Sequence, residues 1–144
     1  MPPLTMKLAA DGVKKRLNSS FRNRRQIRKS ARRENVANSR KMDKIAGLTE
    51  ILKLDPKNSF ARYGLAMELA GSGAVAEALA EFDTLLANDP DYTSGYFMAA
   101  QTLASAGRTQ EAKERLKAGI DCASRKGNSH AVSEMQAMLD ELEK

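Results

Sequence analysis

The sequence predicts an all-α chain of stacked helix pairs preceded by a basic arm, and three observations carry that prediction. The first is a repeat. Lys53-Leu54-Asp55-Pro56-Lys57-Asn58 returns 34 residues later as Ala87-Asn88-Asp89-Pro90-Asp91-Tyr92, Leu69 as Leu103, Gly73 as Gly107, Glu77-Ala78 as Glu111-Ala112, and Phe82 as Leu116. A unit of two amphipathic helices cannot bury its own apolar face and must stack on a neighbour. The second is periodicity: from Met42 onward apolar residues fall three and four apart, the stripe of a helix. The third is charge. The net +6 divides into +11 over residues 1–41 and −5 over residues 42–144, which marks two physically different segments.

Ile45, Leu48, Ile51 and Leu52 form the first clear stripe, a helix over 43–54. Asp55-Pro56 stops it, because the residue before proline is pushed out of the helical region. Asn58 suits a cap for the next helix, whose candidates for burial are Phe60, Leu65, Ala66 and Leu69. Gly71 and Gly73 break the chain, and a helix carrying Val75, Ala78, Leu79, Phe82, Leu85 and Leu86 follows. After Asp89-Pro90 the cycle returns with Tyr96, Ala99, Ala100 and Leu103, a turn at Gly107, then Ala112, Leu116, Ile120 and Ala123. The two full repeats span about 58–90 and 92–124. Ser124 stands where a third proline is due, and Gly127 in Lys126-Gly127-Asn128 suits a left-handed helix C-cap instead. A last helix over about 129–143 sets Val132, Met135, Met138, Leu139 and Leu142 against a polar face of Ser133, Gln136, Asp140 and Glu143.

No earlier repeat precedes Phe60. Arg32 falls where the full repeats place Ala66 and Ala100 at a close helix crossing, and a guanidinium cannot be buried there unpaired. The helix over 43–54 is therefore a half-repeat.

Composition limits the chemistry. No apolar run is long enough to cross a membrane, so no membrane partner is expected. A single cysteine, Cys122, excludes an internal disulfide and fits a reducing, cytoplasmic setting. His130 and Cys122 are one of each kind and flank a helix break. They read as a solvent-facing histidine and a packed thiol rather than a catalytic pair. No phosphate loop, nucleophile elbow or dinucleotide fingerprint is present, so neither catalysis nor a cofactor is expected. Glu77 and Glu111 recur with the repeat, but each sits beside a small alanine and reads as a solvated side chain.

The order of small residue, Leu, Gly, Ala, aromatic or Leu, then Pro resembles the tetratricopeptide repeat (TPR) family. The resemblance covers residues from about 52 to 119. It implies a right-handed superhelix of antiparallel helix pairs that binds other proteins, closed by a solvating last helix. It also implies a concave groove lined by the first helix of each repeat. Projected onto this chain, that pattern places Phe60, Tyr63 and Met67, then Ser94, Phe97, Met98 and Gln101, on the groove. Members that grip acidic C-termini of heat-shock chaperones need Lys and Asn on this surface. Tyr63, Met67, Phe97 and Gln101 stand there instead, which suits a segment with hydrophobic anchors.

The arm, residues 1–41, is rich in Arg22, Arg24, Arg25, Arg28, Lys29, Arg32 and Arg33, with a single aromatic, Phe21. It is poor core material, and disorder in isolation is the expectation. Three readings stay open: a phosphate-binding nucleic-acid arm, a targeting presequence, or an upstream extension, since Met42 stands where an initiator would. The sequence thus predicts a non-enzymatic interaction module that docks a protein segment near Tyr63 and Phe97. The alternative is a nucleic-acid-associated protein in which the arm holds phosphates and the repeats hold a protein.

The recurrence of Ala78 and Ala112 yields a test. Ala78→Leu overpacks a tight helix crossing and is expected to cost about 1–3 kcal/mol. Glu77→Ala, one residue away, is expected to change stability by less than about 0.5 kcal/mol. Thermal denaturation separates them, and equal shifts would show that the helix faces are misassigned.

Overall fold

A computed structural model describes the backbone of residues 2–144 and the side chains of residue 24 and residues 26–144. Six helices make up the described residues: α1 (Pro2–Leu54), α2 (Ser59–Gly71), α3 (Val75–Asn88), α4 (Thr93–Ser105), α5 (Thr109–Arg125) and α6 (Ser129–Glu143). By contacts the chain falls into two units, Met1–Arg40 and Lys41–Lys144.

The first unit departs from expectation. Where the sequence predicts disorder in isolation for residues 1–41, the backbone is helical from Pro2. Two prolines fit the first turn of a helix, and the Arg, Lys, Ala and Gln that follow are strong helix formers. Among the described side chains, every one from Arg24 to Lys44 is exposed, so no core supports that part of the helix.

Within the second unit, residues 41–54 of α1 stand 34 positions before α3 and act as the second helix of a repeat that lacks its first. Leu52 is buried, Ile45 and Leu48 are half-buried against α2, and the Leu48 side chain lies 3.4 Å from where a Cβ on Gly64 would stand. The missing first helix leaves its mark on the other side of the stripe. Ile51 is 44% exposed, whereas its counterpart Leu85 is fully buried.

The two full repeats are antiparallel pairs, α2 on α3 and α4 on α5, with α3 against α4 and α5 against α6 joining them in series. Their core is one continuous idea executed twice. Ala66 and Ala78, then Ala100 and Ala112, have no exposed surface, and the small side chains let the paired helices close over Phe82 and Leu116. Glu77 and Glu111 face water. Phe60, expected in the core, is 78% exposed, and Ala61 is buried in its place. Because α2 starts at Ser59, the inward four-residue row is Ala61, Leu65 and Leu69, and Phe60 lies a hundred degrees off it.

Two kinds of turn alternate. Within each repeat the first helix ends on a glycine with positive φ, Gly73 at 86° and Gly107 at 79°. The amide of Ala74 donates to the Leu69 carbonyl at 3.0 Å, and that of Arg108 to Leu103 at 2.9 Å, which satisfies carbonyls a helix end leaves free. Between helices of successive repeats, Asp55-Pro56 and Asp89-Pro90 make four-residue turns closed by Asn58 and Tyr92 amides, each 3.1 Å from the aspartate carbonyl. Arg62 and Tyr96, 34 apart, each reach back to the carbonyl of the turn proline, at 2.9 Å and 2.8 Å. Arg62 also pairs with Glu81 and ties α2 to α3.

The repeat length breaks once. With no proline at Ser124, α5 runs on to Arg125, and Gly127 with φ 71° ends it in the same glycine turn used inside the repeats. The Asn128 side chain then caps α6 by accepting from the Ala131 amide at 3.1 Å, as Asn58 caps α2 through Ala61 at 2.9 Å. Met135 and Leu139 of α6 are buried against Leu116 and Ala123, while its outer face is exposed.

Gly119 marks the tightest helix approach. A Cβ there would meet the Tyr96 Cβ at 2.7 Å and the Met135 sulfur at 2.6 Å. The thioether can swing aside, but the Tyr96 Cβ is fixed to the α4 backbone. Gly119→Ala is therefore expected to destabilise by about 1–3 kcal/mol despite its better helix propensity. Gly47 has open space around it, and Gly47→Ala is expected to stabilise by about 0.4–1 kcal/mol. Denaturant melts check both, and stabilisation by both substitutions would refute the close approach.

Candidate partner-binding groove

Three first-position helices, α2, α4 and α6, line one recess of about 130 Å³. Tyr63 comes from α2, Phe97 and Met98 from α4, and Met135 from α6, which makes the floor apolar. The rim is polar: Ser94 and Thr93 at the start of α4, Asn128 at the cap of α6, and Glu134 one turn further along. Each side chain is there because successive first helices stack in parallel, so that positions one repeat apart become neighbours in space.

Tyr63 is half-buried, and its ring packs on Tyr92 with centroids 5.2 Å apart and planes tilted by 45°. Burial pushes the Tyr63 phenol above its ordinary value. Burial first, then the neighbouring Tyr63 and Asp89, does the same for Tyr92. Both phenols are neutral at physiological pH, so Tyr63 on the recess and Tyr92 behind it carry no charge. Phe97 and Met98 are also half-buried, with one side on the core and the other on the recess.

The residues expected on the groove separate into three groups. Tyr63, Ser94, Phe97 and Met98 share the recess. Met67 and Gln101 line a neighbouring one of about 280 Å³, which Met98 also touches, together with Val75 and Thr102. Phe60 lines neither and stands exposed at the start of α2. The contribution of α6 was not legible from the repeat. Helix α6 begins 36 residues after α4 rather than 34, so projecting the period stops short of Asn128, Ala131, Glu134 and Met135. The one available signal was Asn128 as a cap, which fixes where α6 starts.

Elsewhere, among the described residues, no buried side-chain polar atom lacks a hydrogen-bond partner. Arg108 donates to both Glu111 oxygens at 2.9 Å and 2.6 Å, and Arg115 pairs with Asp83 at 2.6 Å across α3 and α5. The Arg108 hydrogen bonds hold the Glu111 carboxyl below its ordinary range. Cys122 is fully buried with its sulfur 3.6 Å from the Pro90 carbonyl, whereas His130 is exposed and lies 2.9 Å from Glu134. Among the described residues no group of His, Cys, Asp and Glu is placed to hold a metal ion, and no helix is long and apolar enough to cross a membrane. Of the arm residues singled out by sequence, Arg24, Arg28, Lys29, Arg32 and Arg33 are exposed, while the side chains of Arg22 and Arg25 lie outside the described residues.

Known proteins agree with this architecture. The family model of the tetratricopeptide repeat matches residues 69–138. The solution structure of a tetratricopeptide repeat domain protein from Salinibacter ruber is 32% identical, with a TM-score of 0.59, covering 62% of this chain and 90% of that one. A TPR repeat-containing protein of Pseudomonas aeruginosa is 25% identical over 100 residues, which is 69% of this chain and 95% of that protein. The TPR2B domain of yeast Sti1, solved as a complex with pHsp70, shares the fold at a TM-score of 0.68 and 20% identity, over 77% of this chain and 89% of that one.

The two aromatic residues of α2 differ in what they support. Tyr63→Ala removes a ring packed on Tyr92 and on the core and is expected to cost about 1–3 kcal/mol. Phe60→Ala is expected to stay within about 0.5 kcal/mol. Chemical denaturation of both variants decides it, and an equal loss would place Phe60 in the core.

Proposed function

We propose, since the chain belongs to the tetratricopeptide repeat family, that it is a non-enzymatic binding module whose recess between α2, α4 and α6 takes an apolar anchor side chain of a partner protein segment. The recess itself carries the reading: an apolar floor of Tyr63, Phe97, Met98 and Met135 beneath a rim of hydroxyl, amide and carboxylate groups. That is the usual make-up of a site that gains affinity from a buried anchor and orientation from a few polar contacts. Repeat arrays of this kind use their concave surface for binding. The pHsp70 complex of the Sti1 domain is an instance of the same fold holding a partner.

The chemistry at the rim narrows the partner. Among the described residues Glu134 is the one charged group lining the recess, and residues 42–144 carry net −5. A partner carboxylate is disfavoured there, and a basic residue flanking the apolar anchor is favoured. His130 is on the surface and Cys122 is sealed under the Pro90 turn, so these two do not act as a catalytic pair.

Peptides selected from a displayed random library test the reading. Winning sequences are expected to share an aromatic or long aliphatic anchor with a neighbouring Lys or Arg. Ser94→Trp, at an exposed rim position, fills the recess without touching the core and is expected to abolish binding. Phe97→Ala is expected to weaken it by about 1–3 kcal/mol, with melting recorded in parallel. Selected peptides that bind both variants as they bind the wild type would locate the site elsewhere.

A further inference from the structure

We propose that residues 24–40 of α1 form a second binding surface, a basic helix face that lies in the major groove of double-stranded DNA and holds its phosphates without reading sequence. This inference is independent of the groove between α2, α4 and α6. At a hundred degrees per residue, Arg24, Arg28, Lys29, Arg32, Arg33 and Arg40 fall within one half of the helix circumference. All six are exposed, and no ion pair among the described residues takes any of them.

A merely solvated helix face mixes signs, because like charges one turn apart destabilise an isolated helix. This face stacks them: Arg24, Arg28 and Arg32 form one four-residue row, and Lys29 and Arg33 a second beside it. Glu34, the single acid of the stretch, lies on the opposite half. A polyanion removes the repulsion, and release of its counterions drives association. The dimensions also fit. The 17 residues from Arg24 to Arg40 make a rod about 25 Å long, and its width of roughly 10–12 Å matches a B-DNA major groove of about 12 Å. The deep, narrow major groove of duplex RNA does not admit it.

An anionic membrane is the competing polyanion, and the other half of the helix argues against it. That half presents Gln26, Ser30, Glu34 and Asn38, with Ile27 as its one large apolar residue, and Val36 falls within the basic half. A helix that lies in a membrane interface needs a continuous apolar face to sink below the headgroups.

The test is fluorescence anisotropy of the full chain with short DNA duplexes of two unrelated sequences, an RNA duplex, and vesicles rich in phosphatidylserine. The two DNA duplexes are expected to bind alike. With about five phosphate contacts, affinity is expected to fall by roughly 10²- to 10³-fold between about 50 and 200 mM salt. Replacing Arg28, Lys29, Arg32 and Arg33 together by Gln, a comparable helix former, is expected to remove DNA binding and leave thermal melting unchanged. Phe97→Ala is expected to bind DNA as the wild type does. The proposal is overturned by absent or salt-insensitive DNA binding, by RNA bound as tightly as DNA, by vesicles bound in preference to DNA, or by a quadruple variant that still binds.

Discussion

Everything in the repeat unit depends on how closely its two helices approach. An amphipathic helix of 13 or 14 residues, the length of α2 and α3, is marginal alone, and its stability comes from covering one face. At the crossings the chain places Ala66 against the α3 side and Ala78 against the α2 side, then repeats the device with Ala100 and Ala112. Only with side chains of that size can Phe82 and Leu116 lose all contact with water. The remainder of the core follows from this spacing. So does Gly119, where the third approach, between α4, α5 and α6, is too near even for a methyl group.

The turns convert that spacing into a direction of travel. Glycine turns at Gly73 and Gly107 fold each pair back on itself, and the Asp-Pro turns step the chain to the next pair. Arg62 and Tyr96 are chemically unlike, yet each hydrogen-bonds the carbonyl of its turn proline, so the repeat conserves the position of a donor rather than a residue type. At the end of the array the pattern changes. Gly127 replaces the proline turn, α5 gains length, and α6 arrives displaced from the period. Helix α6 brings Met135 and Glu134 to the recess that Tyr63 and Phe97 border, and so adds to its floor and gives it a charge.

The two units of the chain are stabilised on different terms. Residues 41–144 have a core, satisfied helix ends and half-buried ion pairs such as Arg62 with Glu81. The described side chains of residues 24–40 have no core at all, and their helix stands on backbone hydrogen bonds and propensity against its own charge. A segment so arranged gains most from a ligand of opposite sign. The half-repeat at 41–54 has the complementary deficiency: it has a partner on one side through Leu48 and Leu52 and leaves Ile51 uncovered on the other.

By itself the sequence determined the helix breaks from Asp55 onward, most of the inward faces of α3 to α6, the cap at Asn58 and the glycine turn at Gly127, because spacing, proline, glycine and capping chemistry act locally. It likewise determined that Tyr63 and Phe97 recur at one register position. The tertiary structure alone decided that Phe60 is exposed while Ala61 is buried, since both satisfy a helical stripe and only the neighbouring helix selects between them. It also decided that Tyr63 leans on Tyr92, and that α6 completes the recess, because which side chains of neighbouring helices meet is set by how the helices pack and not by any local signal.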